Sequence, residues 1–328
     1  MTRALHLGYN PPSGNRGLER IDPATFAPDL ERALAIMAPV ADSLWVSDHF
    51  MTAERFRLEC WTLLTWVAAR HPGLSIGPIV AAQSYRQPAL FAKMLASLDA
   101  LMASAAAADG IAAGRPILGY GAGWAQDEYR GYGFDYPSTR TRIEQLDEAL
   151  TAIKLLWTGG PVDFEGRWIK LAGATCVPTP SPRPLIMVGG EGPTTMAVAA
   201  RQSDWWNMLH RSAERRREVL ERLDAVCAVT GRDPATLRRA MYLTVFLDAD
   251  SQAAKGRAID RTNGQAPPFS GSPAQLVDHL GALADEGVYA FNLVFAGWPD
   301  MTDLELFAAH VRPAFDRSPA APTPGGPA

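Results

Sequence analysis

PLIMVGGEGPTTMAVAARQSDWWNML, residues 184–209, reads as a short apolar strand, a glycine turn, a helix and a second strand. A strand that passes through a helix and returns to a strand is a βαβ unit, and it builds parallel sheet. Outward from this stretch the same rhythm repeats. LHLGY at 5–9, SLWVS at 43–47, LSIGPIV at 74–80 and PILGYGAG at 116–123 are strands before it, and MYLTVFL at 241–247 and VYAFNLVF at 288–295 follow it. Helices alternate with them, from about Pro23 to Pro39, Leu58 to Arg70, Pro88 onward, and over 141–157, 193–201, 212–229, 273–285 and 302–317. Pro88 suits the first turn of its helix, and His71-Pro72-Gly73 stops the preceding one. Eight strand–helix pairs in about 315 residues is the arithmetic of an α/β fold of the (β/α)8 TIM-barrel type, with its active site at the C-terminal ends of the strands. The runner-up is a doubly wound open sheet.

One barrel domain over residues 1–317 is therefore expected, with insertions after strands at its C-terminal face near 158–182 and 248–272. Segments of that length in such places more often cap a site than merely connect helices. ASAAAADGIAAG at 103–114 is either a helix extension or a loop, and the Pro/Ala/Gly tail 318–328 is expected to be disordered. The 328 residues are 47% apolar and 20% charged with a formal charge of −4, the profile of a soluble globular protein. With 31 Lys+Arg against 35 Asp+Glu there is no basic field to hold a phosphate backbone, so nucleic acid is not expected as a partner. No run of about 18 unbroken apolar residues and no signal-peptide core is read, so neither a membrane span nor export is expected and the location is read as cytoplasmic. Three cysteines, Cys60, Cys176 and Cys227, lie far apart and outside any CxxC, and the six histidines show no metal-ligand spacing, so no metal site is expected.

Three places carry chemistry. SDHF at 47–50 sets Asp48 and His49 at a strand's end, where an imidazole beside a carboxylate is suited to proton transfer. The alternative is that Asp48 caps a loop and His49 packs against Trp45 or Trp61. GYGAGW at 119–124 lacks the third glycine of a dinucleotide fingerprint, because Trp124 stands there. Its glycines admit either a flat ligand against the backbone, with Trp124 as a wall, or a tight turn over a core tryptophan. GGEGPTT at 189–195 opens a helix, and free N–H groups there make a nest for a phosphate. Tyr85 and Arg86 add a hydroxyl and a cation near the same mouth, or else sit in a solvated loop.

The ordered string SDHF, SYRQPALFAKMLASLD, GAGWAQDEYRGYGFDYPSTRTRIEQLDEAL, LLWTGGPVDFEGRW and PLIMVGGEGPTTMAVAARQSDWWN resembles the luciferase-like flavin- and deazaflavin-dependent oxidoreductases, and most of all their coenzyme F-420 branch. The resemblance implies a TIM barrel that binds coenzyme F-420, or alternatively FMN, at the strand C-termini. It implies that His49 assists hydride transfer or protonation with Asp48 beside it, and that Pro78, Ile79 and Val80 form a ring-supporting bulge, often with a non-proline cis peptide. By the same analogy Gly121, Ala122 and Gly123 lie along the ring, and Gly189, Gly190, Gly192 and Thr194 receive the phosphate. A small-molecule substrate is implied, a homodimer is the common family state, and FMN use brings a separate flavin reductase and two-component monooxygenase chemistry, with Trp45, Trp124 and Trp205 lining a dry mouth. A non-catalytic flavin-binding barrel is the alternative from another class. Sugar-phosphate dehydrogenases of the family carry a tryptophan four positions after the histidine and a glutamate after the glycine turn. Ala53 and Trp124 stand there instead, which argues against a glucose-6-phosphate-type reaction.

Overall fold

In a computed structural model, which describes residues 4–14, 21–52, 55–261 and 269–317, a parallel sheet curls into a nearly closed barrel. In chain order the elements are β1 (Ala4–Tyr9), α1 (Phe26–Met37), β2 (Ser43–Val46), α2 (Cys60–Arg70), β3 (Ser75–Pro78), β4 (Ala81–Ala82), α3 (Pro88–Ala108) and β5 (Leu118–Gly121). Next come α4 (Gln126–Gly131), α5 (Thr139–Leu156), β6 (Val162–Glu165), β7 (Lys170–Ala174), β8 (Ile186–Gly189), α6 (Pro193–Gln202), β9 (Trp205–Leu209) and α7 (Ala213–Val229). The chain continues with β10 (Arg238–Leu247), α8 (Ser251–Arg261), β11 (Phe269–Gly271), α9 (Pro273–Asp285), β12 (Val288–Phe295), α10 (Thr302–Leu306) and β13 (Asp316–Arg317).

The strands neighbour one another in the order β3-β2-β1-β12-β10-β9-β8-β5-β4. The two ends meet because β4 pairs with β5 through Ala81 and Tyr120, and Ile76 of β3 bridges Pro116 just ahead of β5. β3 and β4 thus share one place in the barrel, giving the eight positions expected. The strand read as continuous over 74–80 is interrupted at Ile79-Val80, which are joined by a cis peptide. Gly119 makes room for this bulge: a side chain there would run into the Pro78 carbonyl.

One expectation about the insertions needs correction. Residues 158–182 follow α5 and precede β8, so they lie toward the N-terminal end of the barrel and not after a strand. They form the β6–β7 hairpin, pinned where Glu148 of α5 accepts the Arg167, Trp168 and Ile169 N–H groups at 2.6–3.0 Å, and where Lys93 and Arg115 reach the Val177 and Pro182 carbonyls. Residues 248–272 do follow a strand. There α8 is tied down by Arg257, which pairs with Asp303 at 2.9 Å, and β11 extends the edge of β10. Residues 262–268 of this segment, Ala53 and the tail 318–328 lie outside the described residues.

The last helix is also shorter than read. α10 loosens into a π-type turn over Phe307–Val311 ahead of Pro313, which can neither donate an N–H nor fit a regular helix interior, and the described residues close with β13 beside β1. The Ala-rich stretch extends α3 to Ala108, and Gly110 at φ +68° turns the chain away. Among the described residues α3 is the one helix long and apolar enough to cross a membrane, but it is a core helix whose Phe91, Leu95, Ala96 and Met102 are buried. Counting unbroken apolar runs passes over it because Lys93, Ser97 and Asp99 interrupt the run.

Inside the barrel, Trp45, Ile117, Met187, Trp205, Ala240 and Ala290 form a dry layer. Beside it His6 is bonded to Ser43 at 2.8 Å, Ser43 also accepts the Trp45 indole N–H at 2.7 Å, and Arg238 stacks on Tyr289 at 3.9 Å. Ile79 and Val80 rest on this layer from the other side, so the bulge forms the floor of whatever space opens above.

Candidate active site

Above the floor a cleft of about 1030 Å³ is lined by the C-terminal ends of β2, β5, β8 and β9 and the loops after them. His49 stands in its wall, three residues beyond the end of β2. Its Nδ1 lies 2.9 Å from Glu128 Oε1, and the Tyr85 hydroxyl donates to Glu128 Oε2 at 3.0 Å. Glu128 is buried on α4. Burial alone would raise its carboxyl, but the hydrogen bonds from His49, Tyr85 and the Phe50 N–H together hold it below the usual glutamate range. An ionised Glu128 fixes the tautomer with the proton on Nδ1, and leaves Nε2 without a hydrogen-bond partner among the described residues. The alternative packing against Trp45 or Trp61 is not what the fold builds. Trp45 is in the floor, Trp61 packs edge-on to Phe91 outside the barrel, and His49 meets the exposed Trp124 instead, at 5.5 Å between ring centroids.

Asp48 borders the same cleft but is chemically occupied. Both its oxygens take Arg86 N–H groups, at 2.9 and 3.0 Å, and Oδ2 also accepts the Ala82 N–H. Arg86 in turn reaches Glu59, the N-cap of α2, whose carboxylate accepts the Trp61 and Thr62 N–H groups. Burial opposes the charge on Arg86, but Asp48 and Glu59 outweigh it and keep the guanidinium protonated. Asp48 therefore locks the end of β2 to β4 and the start of α3 and has no free oxygen for proton transfer. The carboxylate that His49 meets is therefore Glu128 and not Asp48, the neighbour expected beside it, which is held by Arg86 instead.

Of the other anticipated residues, Ile79, Val80, Gly121, Ala122, Gly123, Gly189 and Gly190 all line the cleft. Pro78, Gly192 and Thr194 do not. Pro78 is laddered to Val46 within the sheet, Gly192 N-caps α6, and Thr194 turns outward on the first turn of that helix while Thr195, one residue on, faces the cleft. Trp124 lines the rim, whereas Trp45 and Trp205 lie beneath the floor. Gly123, at φ +77°, lets the chain pass against the Tyr129 ring, which in turn leaves its hydroxyl to Ser84 at 2.5 Å.

The far end of the cleft suits an anion. The first-turn N–H groups of α6 have no helical partners, and Arg142 of α5, itself buried, lines the same cleft. Arg142 donates to the Gly123 carbonyl at 3.3 Å, the Thr139 hydroxyl at 3.2 Å and the Pro137 carbonyl, and stacks on Tyr136. None of these neutralises its charge. Glu191, inside the glycine loop, also lines the cleft, where its carboxylate accepts the Leu209 N–H and is paired with Arg211. Glu128 and Arg142 escaped the sequence reading. The signals for them were an acid four residues past the glycine-turn tryptophan, in AQDEYRGYGF, and an arginine on the inward side of TRTRIEQL.

The model of the luciferase-like monooxygenase family matches residues 30–306. The chain belongs to that family. An F420-dependent glucose-6-phosphate dehydrogenase of Kineococcus radiotolerans is 34% identical to this luciferase-like chain over 185 residues, 55% of the chain and 52% of that protein. The protein of the same description from Rhodococcus jostii is 26% identical over 287 residues, 84% and 81% of the two chains. This chain thus spans about half the length of the first relative and four-fifths of the second. Among solved structures, an F420-dependent secondary alcohol dehydrogenase in complex with an F420-acetone adduct superposes with a TM-score of 0.74 at 19% identity, covering 95% of this chain and 99% of that one. The EDTA monooxygenase from Chelativorans sp. BNC1 superposes at 0.78 with 17% identity and 96% coverage of both. At such identities these two likenesses establish the luciferase-like barrel and nothing finer.

Proposed function

We propose that the protein is a coenzyme F-420-dependent oxidoreductase that moves a hydride between the deazaflavin and a small organic substrate. The observation that carries this reading is His49, with Nδ1 tied to Glu128 and Nε2 free, standing over the Ile79-Val80 bulge in a glycine-walled cleft. The residues present fit such a cofactor. The cleft volume suits a ribityl-linked tricycle, Gly121 and Gly189 offer flat backbone, and α6 with Arg142 offers a cationic end for its phosphate. When bound, the deazaflavin supplies the two-electron chemistry.

The chain's own residues hold and move the proton. His49 Nε2 takes the hydroxyl proton when an alcohol is oxidised, or returns one to a carbonyl oxygen in the reverse direction, and Glu128 stabilises the imidazolium between these events. Asp48 and Arg86 keep the strand end that carries His49 from shifting. The relatives' named substrate is not carried over, because Trp124 stands where sugar-phosphate dehydrogenases place a glutamate. An uncharged or singly charged alcohol or carbonyl compound fits a rim of Trp124, Met51 and Leu209 better.

A titration of the purified protein against coenzyme F-420 and FMN separately tests the reading. Tighter binding of the deazaflavin, with no oxygen uptake during turnover, is the expected result. Preference for FMN with oxygen consumption would instead make it a two-component monooxygenase.

A further inference from the structure

The floor of the cleft is apolar except at one point, and that point is a pair of asparagines. Asn207, at the C-terminal half of β9, lines the cleft, and behind it Asn292 of β12 is fully buried. Asn292 Nδ2 donates to Asn207 Oδ1 at 3.0 Å, the two residues lying 85 apart in sequence. This bond has two consequences. With its oxygen occupied from behind, the Asn207 amide has only its NH2 group left to offer the cleft, and no described residue accepts from it. Asn292 Oδ1, meanwhile, is a buried acceptor with no partner. A barrel interior otherwise built from Trp45, Met187, Trp205 and Ala240 gains nothing in packing from two amides that an aliphatic pair would not give. The Asn207 NH2, buried at the cleft wall without an acceptor among the described residues, points to a ligand oxygen that completes it.

We propose that Asn207, oriented by Asn292, is the residue that reads the polar edge of the ring inserted into the cleft. The chemistry recognised is the carbonyl of a cyclic imide edge, which accepts from Asn207 Nδ2 at the cleft wall. Deazaflavin and flavin both carry that edge, so the inference rests on the proposed function only for the class of ring and does not depend on which of the two binds. Asn292 is a positioning residue, since it acts by fixing which end of the Asn207 amide faces forward.

The test is equilibrium binding, followed by ligand fluorescence, of coenzyme F-420 and of FMN to the wild-type protein and to Asn207→Ala, Asn207→Asp, Asn292→Ala and the double variant Asn207→Ala/Asn292→Ala. Thermal melts confirm that each is folded. Asn207→Ala is expected to weaken binding about tenfold, the worth of one buried hydrogen bond. Asn207→Asp keeps the shape but replaces the donor by an acceptor, and is expected to bind at least as weakly as the alanine variant. Asn292→Ala should weaken binding about fivefold alone and add nothing in the Asn207→Ala background, the signature of a residue acting through another. The same pattern with FMN as the preferred ligand would support the inference while removing coenzyme F-420 from the proposed function. Wild-type affinity in Asn207→Asp, or additive effects of the two alanines, would overturn the inference and leave the function standing. Failure of the wild-type protein to bind either ring would overturn both.

Discussion

On the proposed function a single imidazole carries the proton, and its value lies in how it is held. His49→Ala should lower turnover on the order of 10²-fold or more while changing cofactor affinity little, because it removes the proton carrier and not the ring's supports. Steady-state kinetics alongside a binding titration measure the two separately. Glu128→Gln keeps a hydrogen-bond acceptor but removes the charge that favours the imidazolium. Its rate loss should be smaller than that of His49→Ala, which the same steady-state kinetics measure. His49 could be found from sequence because a polar residue directly after a buried strand has nowhere to go but the mouth. Its true partner could not, since Glu128 lies 79 residues further on and reaches His49 only once the barrel has closed. Asp48 was misjudged for the same reason: its adjacency to His49 is visible in SDHF, whereas its capture by Arg86 is a tertiary event.

At the scale of elements, helix ends and crossing ion pairs decide how firmly the barrel walls hold together. α9 begins with a capping box in which Ser272 accepts the Gln275 N–H and the Gln275 side chain accepts the Ser272 N–H. Ser272→Ala should cost about 1 kcal/mol in a urea unfolding experiment, with no effect on ligand binding. Arg86→Met is a harsher change. It leaves the Asp48 side chain, wholly shielded from solvent, without its counter-charge and should destabilise the protein by roughly 3–5 kcal/mol. Strands and helices were legible because the 2-residue and 3.6-residue periods differ. The insertion at 158–182 follows the helix read over 141–157, so chain order itself puts it between a helix and the next strand, at the N-terminal end of the barrel. Its distance from the cleft means that hairpin residues such as Phe164 and Leu171 should tolerate exchange without altering substrate choice, which a comparison of substrate profiles would check.

For the molecule as a whole, the eight-fold alternation of strands and helices announced the barrel, but closure of the ring through the broken strand β3–β4 depends on contacts that no local pattern encodes. The interior it creates governs how stability responds to pH. His6 is buried within the barrel, and desolvation, aided by Arg312 and Arg238, depresses its pKa to about 3, while His210 is lowered to about 4 by burial and by His279. Both are neutral when folded and take up protons when unfolded, so they stabilise the fold fully above about pH 6.5 and lose that contribution as the pH falls toward their folded values, at up to about 1.4 kcal/mol per pH unit for each group. Asp303, raised to about 6 by burial despite Arg257, works in the opposite direction, since its folded form keeps a proton that the unfolded chain has already released between pH 4 and 6. Two groups outweigh one, and the melting temperature should fall steadily from pH 6.5 to pH 4, with a shallower slope in His6→Asn. The dry layer of Trp45, Ile117, Met187, Trp205, Ala240 and Ala290 has a further bearing on traffic. With the passage stopped below, whatever settles deepest arrives first and departs last; on the proposed function that is the ring, and product inhibition should then be competitive only between its two redox forms, the first species to bind and the last to leave.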